Sequence, residues 1–402
     1  MGNSYKQEIN EKANRKYGLI VALLIFAIMV VSNIPTPLYA LYAIKFNFGS
    51  LAIAGIFAIY VVFLIPSLLF WGQYSDVKGG KIPIILGIIF EIAGIIAFLL
   101  AGNISELFLA RAFQGLASGA ISGPASALLF HYRGKAGAIL TSVSTSSGTA
   151  VGPLLGGVMA EYLPFHLKLV YILSLIIIII PVARIAPMIN KSIVKRQSNH
   201  NVFEFHFPKL DMEEKNLFTL SAATAFIAWS ITAFYMSMSP LYIIRLLGIS
   251  NIAITGLIVF LMLGIASIMQ ILSMKSTIFS SLLTGIISLI IAIALIVISF
   301  PFKSMDIFIV ATIMTGIGQG FAFTGATREI RTISPPLKMG GVLSNYYIII
   351  YFGVGIPTVI LGLIDMISGL FSGILYYGSS LIICSLIIII FLHKYRIKIA
   401  ID

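Results

Sequence analysis

Apolar runs of about twenty residues recur along the whole chain, separated by short polar breaks. Twelve such spans are predicted, at roughly 18–43, 50–73, 82–101, 107–130, 137–162, 168–187, 217–243, 250–273, 277–300, 306–327, 340–363 and 370–392. Each is long enough to cross a bilayer as a helix, where every backbone group must find its partner within the segment. One connection is long and polar, with SIVKRQSNHN and DMEEKN in it. It divides the spans six and six and predicts three regions: a first bundle over 1–187, a linker over 188–216 and a second bundle over 217–402.

The two bundles carry an internal repeat. Pro37-Leu38-Tyr39 returns as Pro240-Leu241-Tyr242, and Ala52-Ile53-x-Gly55 as Ala253-Ile254-x-Gly256. Ala110, Gly115 and Gly119 match Ala311, Gly316 and Gly320. Lys135-x-Gly137-x-x-Leu140 matches Lys338-x-Gly340-x-x-Leu343. The matches fall in order at a nearly constant offset close to half the chain. Repeated six-helix bundles predict an all-α polytopic membrane protein of two pseudo-symmetric halves, with a substrate site between them near the midplane and rocking that opens it to each side in turn.

Composition agrees with this class: 59% of the 402 residues are hydrophobic and 10% are charged. The net charge of +12 is placed by topology. With both termini in the cytoplasm, twenty-one Lys and Arg lie in the tails and inner loops and four in the outer loops, and Arg111 alone lies in a span. That is the positive-inside pattern, and it expects no nucleic-acid partner. The single Cys384 excludes an internal disulfide and a cysteine metal site. No cleavable signal peptide is expected, and Lys6 breaks the myristoylation pattern that MGNSYK begins. The Ile-rich, Lys-rich composition suggests a bacterial source, hence the plasma membrane.

Three stretches carry candidate chemistry. In SGTAVGPLLGG, Gly148, Gly152 and Gly156 fall four apart and make one bare stripe on a helix face, with Pro153 and Gly157 beside it. Such a stripe admits another helix very closely. In GQYSDVKGGK, Gly72, Asp76, Gly79 and Lys81 lie in the turn between spans 2 and 3, where an acid can face the N-terminus of another helix. In RAFQG, Arg111 is a cation inside a span, costing about 2.5–3.5 kcal/mol on insertion scales, which marks a functional position. Glu91, near the middle of span 3, is a candidate proton carrier, because burial penalises its charged form. Span 1 has no acid but has Ser32, Asn33, Pro35 and Pro37.

These motifs and the six-plus-six plan resemble the major facilitator superfamily over essentially the whole length. The turn motif matches at Gly72, Asp76, Gly79 and Lys81, with Val77 and Gly80 where the family usually has cations. The resemblance implies that Asp76 gates the inner side against the start of span 11 near Gly340, and that Arg111 in its Arg-x-x-Gln-Gly motif serves proton coupling. The glycine stripe resembles the motif of drug–proton exporters, except that Ile139 replaces an initial glycine, and implies close packing of span 5 on span 8. From the fold, the cavity is expected to use Asn33, Tyr39, Gln114, Ser144, Trp229, Tyr235, Gln319, Asn345 and Tyr346. No phosphate-binding GxxxxGK[ST] stretch and no nucleophile–base pair occurs, so neither an ATP-driven pump nor an enzyme is expected. No metal site is expected among the five scattered His residues.

The expectation is a monomeric secondary exporter that moves a small molecule out of the cell by proton antiport. Its partners are the substrate and membrane lipid, and it needs no cofactor beyond a proton gradient. The alternatives are export of an opine-type metallophore, since the chain also resembles the staphylopine-type exporters, and a nutrient uptake symporter. Asp76→Asn is expected to reduce transport while leaving expression and folding near wild type. Undiminished transport by that variant in membrane vesicles would remove Asp76 from the gate.

Overall fold

The computed structural model describes residues 2–189, 212–334 and 339–395; within these, the side chains of 2–13, Asp76, Lys135, 187–189, 212, 213 and 340 are excluded. Most of the linker region therefore lies outside the described residues. Fourteen helices are present among them, and no strand. Twelve are long: α1 Gly2–Asn33, α3 Ser50–Lys78, α4 Lys81–Leu100, α5 Ile104–Arg133, α6 Lys135–Tyr162 and α7 His166–Ile189, then α8 Met212–Ser237, α10 Ile252–Ser273, α11 Ile278–Ser299, α12 Met305–Ile333, α13 Met339–Ser368 and α14 Leu370–Lys394. Two are single short pieces, α2 Tyr39–Lys45 and α9 Ser239–Arg245.

Ten of the long helices hold a stretch long and apolar enough to cross a membrane by length and composition. The other two, α5 and α6, are diluted by Ser, Thr and Gly. The predicted first and seventh spans are each broken in two. Pro35 and Pro37 lack the N–H that would continue α1, and the chain turns over residues 34–38 before α2. Pro240 opens α9 in the same way after α8 stops at Ser237. The repeated Pro-Leu-Tyr is thus a repeated helix break. Most of the other helices begin or end a few residues beyond their predicted spans, as ends that leave the apolar layer can.

The described residues form two compact units. One takes the chain up to Pro35 and from Ile59 to the end of α7; the other takes Thr36–Ala58 and everything from α8 onward. The chain therefore crosses between units at Pro35/Thr36 and again at Ala58/Ile59, inside α3.

Within the units the repeat is one of packing as well as of sequence. A methyl group on Gly119 of α5 would lie 2.7 Å from the Leu64 carbonyl oxygen of α3; on Gly320 of α12, it would lie 2.6 Å from that of Ala266 in α10. Gly115 and Gly316, one turn earlier, press on Tyr60 and Met262 in the same manner. Each pair lets two backbones touch where any side chain would hold them apart.

The Gly148–Gly152–Gly156 stripe packs against α1. A methyl on Gly148 would lie 2.6 Å from the Phe26 carbonyl oxygen, one on Gly152 would lie 2.5 Å from that of Val30, and one on Gly156 would overlap that of Ile34. The close packing expected with span 8 is made with span 1, inside the first unit. Its counterpart in the second unit is Gly353 of α13, where a methyl would sit 2.8 Å from the Phe226 carbonyl oxygen of α8. Gly152, Pro153, Gly156 and Gly157 are all buried. Gly152→Ala is expected to cost about 1–3 kcal/mol through overpacking, seen as a lower melting temperature in detergent. Gly264→Ala, with open space around the added methyl, is expected to be neutral or slightly stabilising.

Candidate functional site

The break in α1 exposes carbonyls that the helix would otherwise satisfy. Pro35 removes the N–H due to the carbonyl of Val31, four residues earlier. Gln114 of α5 supplies one in its place, its Nε2 lying 3.4 Å from the Val31 oxygen. The next carbonyl, that of Ser32, accepts from the Arg111 guanidinium at 2.8 Å. A cation at a helix C-terminus also meets the negative end of the helix dipole. Arg111 and Gln114 lie three apart, so they share a face of α5, and Arg111 donates to the Gln114 Oε1 at 2.8 Å.

Glu91 of α4 completes the cluster. Both of its carboxyl oxygens lie 3.1 Å from the Ser32 Oγ, which donates to them. Gln114 Nε2 also donates to its Oε1 at 3.4 Å. On the other side the Arg111 guanidinium lies 4.4 Å from the centre of the Tyr60 ring, a cation–π contact. Glu91 is 0% exposed, Gln114 1%, Ser32 1% and Arg111 3%. Glu91 and Arg111 were expected as separate coupling positions; Ser32 and Gln114 join them in one buried network across α1, α4 and α5. Close backbone approach builds it: a methyl on Gly94 of α4 would lie 3.0 Å from the Ala110 carbonyl oxygen of α5.

This network flanks both places where the chain changes unit. Ser32 and Val31 immediately precede Pro35/Thr36, and Tyr60 immediately follows Ala58/Ile59. The intervening stretch is anchored in the second unit. Ser50, at the start of α3, donates to the Asp365 carboxylate of α13. Arg245, at the end of α9, lies 4.0 Å from the same carboxylate. A methyl on Gly362 would lie 2.9 Å from the Leu51 Cα, so α13 and α3 touch there too. The sequence reading missed Asp365 and Ser50. The only signal was an acid near the end of an otherwise apolar span, and nothing in the spacing linked it to a serine 315 residues away.

Gly79 ends α3 with φ 91°, a conformation that suits glycine at a helix C-terminus. Lys81 is exposed at the start of α4 and Gly72 has open space around it. The Asp76 side chain and the surroundings of Gly340, the two ends of the expected gate, lie outside the described residues. Among the cavity candidates, Asn33 turns its amide back to the Met29 carbonyl at 2.7 Å. Tyr39 is 1% exposed and Ser144 8%. Tyr235 is enclosed by Phe234 and Phe308, with its hydroxyl 3.4 Å from the Thr315 Oγ1. Tyr346 is buried, its hydroxyl 3.0 Å from that of Thr327. Gln319 accepts from Gln270 at 3.3 Å. Trp229 and Asn345 are half-buried, Trp229 edge-on to Phe323.

A family model described as Major Facilitator Superfamily matches residues 21–358, and the chain belongs to that family. It is a multi-pass membrane transporter and not an enzyme. Two curated relatives match in part. The multidrug resistance protein MdtG of Yersinia enterocolitica is 35% identical over 115 residues, covering 26% of this chain and 26% of that protein. Multidrug resistance protein 3 of Bacillus subtilis is 29% identical over 118 residues, covering 28% and 23%. The matched stretch thus spans about a quarter of the length of these relatives. Among solved structures, a bacterial homolog of the human lysosomal transporter Spinster, inward-facing and unoccupied, superposes with a TM-score of 0.76 at 12% identity over 97% of this chain and 98% of its own. A POT family transporter in complex with 5-aminolevulinic acid gives 0.75 at 13% identity over 95% and 96%. At these identities the likeness is one of fold.

Arg111→Ala is expected to destabilise the protein by about 3–5 kcal/mol, since it leaves a buried carboxyl and a helix end without their cation. Adding Glu91→Gln to that variant is expected to recover part of the loss. A double-mutant cycle read by thermal unfolding in detergent checks this, and strict additivity would show the two groups to be energetically independent.

Proposed function

We propose that this transporter exports small amphiphilic molecules by proton antiport, with Glu91 as the proton-carrying group. The observation that supports this most is the enclosure of Glu91 by Ser32, Gln114 and Arg111 at the break in α1. The names of the two partial relatives support drug-like cargo.

With Glu91 ionised, its carboxylate accepts from Ser32 and Gln114 and is balanced by the Arg111 charge. The guanidinium then holds the end of α1. When Glu91 gains a proton it loses the charge that favours this arrangement. Its new O–H must donate, which turns the Ser32 hydroxyl and, where the proton sits on Oε1, displaces the Gln114 amide. Gln114 and Arg111 share the task of capping α1, so the rearrangement changes how firmly residues 31–35 are held. Those residues lead directly into Thr36–Ala58, which Asp365 anchors in the second unit through Ser50. A proton at Glu91 thereby acts on the stretch of chain that joins the units. Cargo binding and protonation each bias one equilibrium, and the coupling is reciprocal.

Everted membrane vesicles loaded through an imposed pH gradient test this reading. Uptake of a fluorescent lipophilic dye is expected to follow the gradient and to collapse when a protonophore dissipates it. Glu91→Gln is expected to abolish gradient-driven accumulation while leaving downhill dye exchange. Accumulation that ignores the gradient in the wild type, or that survives intact in Glu91→Gln, would overturn the assignment.

A further inference from the structure

Outside this network, the second unit carries a cleft that the transport reading does not use. It lies between α8, α13 and α14 and encloses about 420 Å³, within the roughly 300–1,000 Å³ of small-molecule sites. Ala222, Ala223 and Phe226 of α8, Ile349 of α13, and Cys384 and Ile387 of α14 line it. The hydroxyl of Thr219, also in the lining, is bonded to the Lys215 carbonyl at 2.8 Å, so apart from the Cys384 thiol the surface offered to a ligand is hydrocarbon.

The cleft has a charged end. On α8, Lys215 lies four, seven, eight and eleven residues before Thr219, Ala222, Ala223 and Phe226, which places it on the same helical face. On α14, Lys394 follows Ile387 by seven residues, again on the same face. Both lysines are exposed. Both stand at the end of the bundle where α8 begins and α14 finishes. Two independent helices thus bring a cation to the same end of one apolar cleft.

We propose that this cleft binds one acyl chain of an anionic phospholipid, with the headgroup phosphate held by Lys215 and Lys394. Hydrocarbon lining inside a membrane-spanning segment selects an acyl chain, and cations at the headgroup level select an anionic lipid over a zwitterionic one. The site faces the leaflet on the C-terminal side of the chain. It is separate from the Glu91 network, so its loss leaves the transport reading standing.

The test uses the full-length protein in nanodiscs containing phosphatidylglycerol or phosphatidylcholine with a diazirine in the middle of one acyl chain. Adducts are mapped by mass spectrometry after irradiation. They are expected on peptides carrying residues 218–227 and 381–388, about ten-fold more from phosphatidylglycerol, as two lysines near a membrane surface allow. K215Q/K394Q, at two exposed positions, is expected to bring the ratio of the two lipids close to one. Ala223→Trp is expected to lower the adducts from both. Equal labelling by both lipids in the wild type, a preference that persists in K215Q/K394Q, labelling spread evenly over other exposed apolar positions such as Ile172, Ile176 and Ile179, or cross-linked dimers through α14 in place of lipid adducts would each overturn the proposal.

Discussion

A helix that stops inside a membrane leaves carbonyl groups with no water to bond, and the rest of this structure is arranged around that fact. Each unsatisfied group would cost about 1–3 kcal/mol or more. Pro35 creates the problem at Val31, and Gln114 and Arg111 solve it from α5. Solving it with a guanidinium buries a full charge, which in turn needs a counter-group. Glu91 is that group, joined to Arg111 through Ser32 and Gln114. The chain of requirement runs from a proline to a carbonyl, from the carbonyl to a cation, and from the cation to an acid. A transporter gains from such an arrangement because an acid held this way can exchange a proton and report the change to the helix end.

The glycine stripes serve the same site. α6 presses on α1 through Gly148, Gly152 and Gly156, which fixes α1 up to Ile34, the residue just before the break. Gly115, next to Gln114 on α5, brings that helix against the Tyr60 carbonyl of α3 and so sets the ring under Arg111. The second unit repeats the glycine contacts at Gly316, Gly320 and Gly353 but carries no counterpart of the Glu91–Arg111 pair: at the matching places stand Ala292 and Thr312. The halves share a packing plan and differ in chemistry.

Much of this was legible in the sequence, and the reasons are physical. Span number and order follow from runs of apolar residues, because the bilayer imposes their length. The repeat followed from small and kinking residues, which are constrained wherever backbones touch. Arg111 and Glu91 stood out because charge is rare in such runs. What the sequence could not show was their meeting. Arg111 and Glu91 are twenty residues apart on different helices, and the residue that joins them, Ser32, is unremarkable on its own. The partner of the glycine stripe was assigned to the eighth span by family resemblance; periodicity gives the face of a helix but not its neighbour. The cavity candidates, chosen from residue type and span, include several aromatic rings that are enclosed within their own units.

The most direct measurement of the central claim is hydrogen exchange along the chain, read by mass spectrometry, for the wild type and Glu91→Gln under identical conditions. The account predicts faster exchange in the variant for peptides covering residues 29–42 and 55–64, the two crossings held by Arg111 and Gln114, with α10, α11 and α14 unchanged. Exchange that is unaltered at both crossings, or raised equally across the whole protein, would contradict it.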